Sequence, residues 1–183
     1  MPEITLNQII DAVAQLRAVV ASTVAALRLP DPDDASRPYP IAPPSAPALQ
    51  EHIAYAESAL GMRLPPSYRH FLSLHDGWID VDLGSDLLNV RALVDFNRSQ
   101  AEAALDPILD EIERDTTEGL IVFGTTKGDN SMFIFNSKKT DEFGEWAVID
   151  YDAEEGMLDE YDNFLSFLND TAETVRMMGG GKG

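Results

Sequence analysis

The residues best placed to do chemistry lie in DGWIDVDLGSD, where Asp76, Asp80, Asp82 and Asp86 crowd into one short segment with a DxDxGxD core. A calcium loop of the EF-hand type needs a bidentate Glu at its twelfth position. Counted from Asp80 that position is Arg91, and no helix pair brackets the segment, so it reads as an acidic turn. His70 and His75 are five apart on an expected helix and point in different directions, and His52 stands elsewhere. No zinc pattern forms. GTTKGD, residues 124–129, follows an expected strand, but Gly128 is followed by Asp129 and then by another strand. That order describes a hairpin turn and not a phosphate loop. Asp150 and Asp152 share one face of an expected strand at a spacing that suits a carboxylate pair. Among 32 acids such a coincidence is expected by chance. No serine sits in a GxSxG elbow, and the absence of cysteine removes thiolate chemistry and disulfides together. These residues support no catalytic assignment, no metal and no cofactor.

Charge is the strongest compositional feature. The 183 residues carry 32 acids and 13 Lys or Arg, a formal net charge of −19. Between Asp141 and Val175 there are acids and no base at all. Such a surface repels a phosphate backbone and an anionic bilayer, which argues against nucleic acid and membrane as direct ligands. Two readings of the acids stand side by side: they confer solubility, or they steer a basic protein onto this face.

The elements that must position these groups begin with a helix over residues 5–28. Ile9, Val13, Leu16, Val20, Val24 and Leu27 form one apolar stripe, with Thr5 and Gln8 placed as a capping box and Ile4 and Ile9 as a staple. The stripe must pack on the main domain or on a second copy of the chain. The start lacks a basic leader and Arg17 and Arg28 interrupt the apolar stretch, which suggests a cytoplasmic protein without a membrane span. Residues 30–47 hold seven prolines and read as an extended linker.

Beyond the linker, Leu49, Ile53, Ala56 and Leu60 mark a helix stopped by Gly61. Pro65 and Pro66 then start a shorter one with Tyr68, Phe71, Leu72 and His75. WIDV and LLNV are short strand candidates, and residues 91–115 read as helix broken at Pro107. LIVFG (120–124), SMFIF (131–135) and WAVIDY (146–151) are stronger strands, and their short connections suit antiparallel neighbours. A closing helix near 160–169 carries Tyr161, Phe164, Leu165 and Leu168. The order of elements indicates the α+β class.

ESALGMRLPPSYRHFLSLHDGW resembles the opening motif of the SUKH superfamily, the Smi/Knr-like proteins. The matching residues are Glu57, Leu60, Gly61, Leu64, Pro65, Tyr68, Phe71 and Leu72, with Asp76–Gly77 where Asn-Gly is commoner. LIVFGTTKGDNSMFIF, WAVIDYD and YDNFLSFL follow in the family's order, so the resemblance covers roughly residues 47–169. It implies a single α+β domain with a mainly antiparallel or mixed sheet packed against helices. Bacterial members of that family are typically cytoplasmic immunity proteins of polymorphic toxin systems that bind a cognate toxin domain, often a nuclease. Other members are regulatory scaffolds. Neither role needs an active site.

The expected organisation is an N-terminal helix (1–29), a Pro-rich linker (30–47), a SUKH-like domain (48–170) and a flexible tail (171–183). The expected activity is non-catalytic binding of a cognate, basic toxin domain; a regulatory or scaffold module is the alternative. The expected contact surface comprises Asp80, Asp82, Asp86, Asp141, Glu142, Glu145, Asp152, Glu154 and Glu155. Homo-oligomerisation through the N-terminal helix is a further expectation.

Overall fold

The computed structural model describes residues 2–127 and 131–180. Helix α1 spans Leu6–Leu27. Thr5 caps it by accepting the Gln8 amide while the Gln8 side chain takes the Thr5 N–H at 2.8 Å. Ile9, Val13, Leu16, Val20 and Val24 are buried along its inner stripe, each burial stabilising by about 1.5–3 kcal/mol. By length and apolar composition α1 would suit a bilayer, with a mean hydropathy of 1.5, but its stripe packs within the fold. Its partners are α6 (Phe164–Gly180) and α3 (Pro66–Leu74), and Thr23 donates its hydroxyl to the Val175 carbonyl at 3.0 Å. The surface on which the oligomer expectation rested is therefore covered by the chain's own helices.

The segment between α1 and α2 (Gln50–Leu60) is tied down along its length and is no free spacer. Tyr39 and Leu29 pair through their backbones, Arg37 binds Asp31 and Asp34, and Ser45 donates its amide to the Gly77 carbonyl. Gly61 ends α2 in the left-handed conformation (φ 70°), and Pro66 opens α3 at its first position. Glu57 braces this corner by accepting the Leu64 amide at 3.0 Å and pairing with Arg69 at 3.1 Å.

Five antiparallel strands follow in spatial order β1 (Ser85–Leu87), β2 (Leu120–Thr126), β3 (Met132–Thr140), β4 (Trp146–Asp152) and β5 (Gly156–Tyr161). Ile121, Phe123, Phe133, Phe135 and Val148 face α1, α3 and α6. The fully buried Tyr68 ring lies 5.0–5.9 Å from Phe71, Phe123, Phe135 and Phe164. On the other face Leu120, Val122, Met132, Ile134, Ile149 and Tyr151 pack under Leu105 and Ile108. The sheet is thus covered on both sides. That arrangement is the α+β domain anticipated from the order of elements.

Several boundaries differ from the expected ones. Residues 91–115 form two short helices, α4 (Val90–Ser99) and α5 (Ala101–Leu105), which break at Gln100; Pro107 lies in a 3-10 turn. WIDV is not a strand: Trp78 forms an isolated bridge with Leu87, and Asp80 turns left-handed at φ 57°. Tyr161 ends β5 and does not begin the closing helix. That helix runs ten residues past the expected 169–170 boundary, so residues 171–180 are helix packed on α1 and not tail. Within the expected hairpin turn at 124–129, Gly128 and Asp129 lie outside the described residues, as do Gly181–Gly183 of the tail.

Candidate acidic interface

Strand pairing divides the expected acidic surface in two. Met132 lies opposite Tyr151 and Thr140 opposite Trp146, while Ser85 pairs with Thr126. The loop holding Asp80, Asp82 and Asp86 therefore shares one end of the sheet with the β4–β5 turn of Asp152, Glu154 and Glu155. Asp141, Glu142 and Glu145 occupy the β3–β4 loop at the opposite end, roughly 25 Å away at about 3.3 Å per strand residue. The nine residues form two groups.

At the first end the carboxylates organise their own backbone. Asp82 accepts the amides of Gly84 and Ser85 at 3.1 and 2.7 Å, and Asp86 accepts that of Asp80 at 2.8 Å. Lys127 pairs with Asp80 at 2.5 Å and stands 3.6 Å from Asp86. Burial works to lower the Lys127 ammonium, but these two carboxylates hold it above its ordinary value. Asp152 accepts the amides of Glu155 and Glu154 and the Ser131 hydroxyl, which together hold its carboxyl below the usual range. Glu154 and Glu155 themselves are exposed.

The residue that sequence reading left out of this surface is Asp150. Burial, followed by the charges of Asp82, Asp159, Asp152 and Asp170, pushes its carboxyl up to about 6. Its carboxylate has no hydrogen-bond or ion-pair partner among the described residues. Asp150 and Asp152 are thus used differently, one crowded by like charges and the other satisfied in a turn. Asp170 arrives from α6 and accepts the Tyr161 hydroxyl at 3.2 Å. The Asp150–Asp152 spacing was the available signal for this cluster; nothing local in sequence marks Asp170 as its neighbour.

The second end is built otherwise. Asp141 accepts the amides of Phe143 and Glu145, which shapes the loop, and Glu142 is exposed. Glu145 is only 1% exposed, so it does not belong to a contact surface. Its carboxylate accepts the Ser67 amide at 2.8 Å and the Ser67 hydroxyl at 2.5 Å, joining the loop to the first turn of α3. Burial raises its proton affinity more than the two Ser67 bonds lower it.

Among the described residues no three carboxylate, imidazole or thiol groups converge to hold a metal ion. His75 binds the Ser45 carbonyl through Nδ1 at 3.0 Å, a structural role.

Comparison with curated proteins gives no match. The family model described as SMI1 / KNR4 family (SUKH-1) matches residues 47–170, from just before α2 into α6. That interval holds the Gly61 stop, the Pro65–Pro66 start, the Tyr68 core and the whole sheet. The chain belongs to the SMI1 / KNR4 family (SUKH-1), with α1 and the last turns of α6 lying outside the matched region.

Proposed function

We propose that this protein is a non-catalytic immunity protein that neutralises a cognate toxin domain, a basic one, by binding it at the Asp152 end of the sheet. The observation that carries the reading is the concentration of Asp80, Asp82, Asp86, Asp150, Asp152, Glu154 and Glu155 at one end of the sheet, where Lys127 is already paired with Asp80 and Asp86. A toxin that cleaves nucleic acid concentrates positive charge where phosphates lie. An acidic surface of this kind associates with it rapidly and occludes it. Family membership supports an immunity role, and the residues weighed for catalysis lie in turns, caps and a crowded carboxylate cluster.

The test is capture of the toxin domain that co-purifies with this protein from its host, followed by co-expression, toxicity and binding assays. The reading requires protection from toxicity, a stable complex, and association that slows steeply with added salt. Metal-dependent turnover lost on Asp150→Asn, or protection without a complex, would overturn it.

A further inference from the structure

A groove of about 300 Å³ opens between α6 and the Asp82–Ser85 loop, at the end of the sheet just described. Its lining combines the apolar Leu83, Phe133, Val175 and Met178 with Asp82, Asp150 and Asp170. Among the described residues no Lys or Arg lines it. Lys127, a base at this end, is engaged by Asp80 and Asp86. Two of the three carboxylates have donors from their own surroundings: Gly84 and Ser85 amides for Asp82, and the Tyr161 hydroxyl for Asp170. Asp150 has none among the described residues, and it is the one most crowded by negative charge.

We propose that this groove receives a single arginine or lysine side chain projecting from the basic protein partner. Such a side chain is amphipathic along its length, with an alkyl stem that suits Phe133, Val175 and Met178 and a cationic head that suits the carboxylates. A second copy of this chain is a poor occupant, because each copy carries −19 and would bring further acids to the rim. A metal ion is also a poor occupant, since the three carboxylates do not converge on one point. The inference rests on the functional reading above, because it names how a basic partner is gripped at that end. It adds that the grip is local, a socket with walls, and more than a diffuse attraction.

The test uses the full chain and a blocked nonapeptide, a lone arginine flanked by four glycines on each side, with the citrulline peptide as its uncharged counterpart. Methyl and amide resonances are followed at low salt. The expected result is movement of the Thr171, Val175 and Met178 methyls with the arginine peptide, and at least tenfold weaker binding of the citrulline peptide. The Asp150 carboxyl should at the same time titrate nearer the ordinary carboxylate range. Thr174→Trp and Met178→Trp change exposed positions and fill the groove while keeping every charge, so each should abolish the groove shifts. If the arginine peptide moves only amides around Glu154 and Glu155 and leaves the groove methyls still, the socket is overturned while the acidic-end reading stands. If neither region responds, both are overturned. Equal binding of arginine and citrulline peptides would also overturn the socket.

Discussion

The two ends of the sheet carry acids of opposite kinds. At the β3–β4 end, Glu145 is buried and fully engaged, its carboxylate holding Ser67 at the start of α3. At the β4–β5 end, Asp150 is half-buried, crowded by Asp82, Asp159, Asp152 and Asp170, and has no described donor. In sequence both regions show acids clustered at a strand connection. What separates them is whether the fold supplies hydrogen-bond donors to each carboxylate. A carboxylate with donors stabilises its own chain; one without them is costly until a cation arrives.

The largest expected effect breaks the first half of that contrast. Glu145→Ala leaves the buried Ser67 amide and hydroxyl without an acceptor, and should cost about 2–4 kcal/mol in denaturant unfolding. A loss under about 0.5 kcal/mol would mean that Glu145 is not the pin between the loop and α3. Asp150→Asn probes the other half, and its sign is opposite. The Asp150 carboxyl rises from 3.8 to about 6 in the folded protein, so the folded state binds the proton more tightly than the unfolded chain does. The stability this confers is complete below the unfolded value and is lost as pH rises through 6. Asp150→Asn should therefore be the more stable protein at pH 8, by about 1–3 kcal/mol, with the advantage shrinking toward pH 4. Equal unfolding midpoints at pH 8 would contradict the crowding.

Asp152→Ala sharpens the comparison within the acidic end itself. Asp152 does have donors, the amides of Glu154 and Glu155, so its loss should loosen the turn and speed amide exchange at those two residues while the core stays protected. Unchanged exchange there would show that the turn does not depend on it. The smallest expected effect on stability comes from Glu154→Gln with Glu155→Gln, since both side chains are exposed. The change should stay within about 0.5 kcal/mol.

Much of the frame was legible because its residues are constrained for local reasons. Gly77 has φ 82°, and a Cβ there would meet the Asn89 amide and Leu87 carbonyl at 2.7 Å. Tyr68, Phe71 and Phe164 are large, apolar and spaced for helix faces that must be buried. Strand β5 was not legible: GMLDEY alternates poorly and carries two adjacent acids. It is held as an edge by its backbone ladder to β4. The last turns of α6 were missed because Thr171 and Ala172, small or polar, are among the residues they bury. These turns lie beyond the family match, as α1 does, and the two extensions pack on each other. The acidic surface was legible as charge but not as geometry. Sequence proximity put Glu145 beside Glu142, although one is buried and the other exposed, and gave no reason to join Asp170 to Asp150.

The most direct test of the central claim compares charge-matched variants at the two ends for binding the toxin domain that co-purifies with the protein. Glu154→Gln/Glu155→Gln acts at the proposed interface, and Glu142→Gln/Asp162→Asn removes two exposed charges at the opposite end. The account predicts at least a tenfold rise in Kd for the first pair, growing smaller as salt is added, and less than a twofold change for the second. Equal losses from both pairs, or a larger loss from the second, would contradict it.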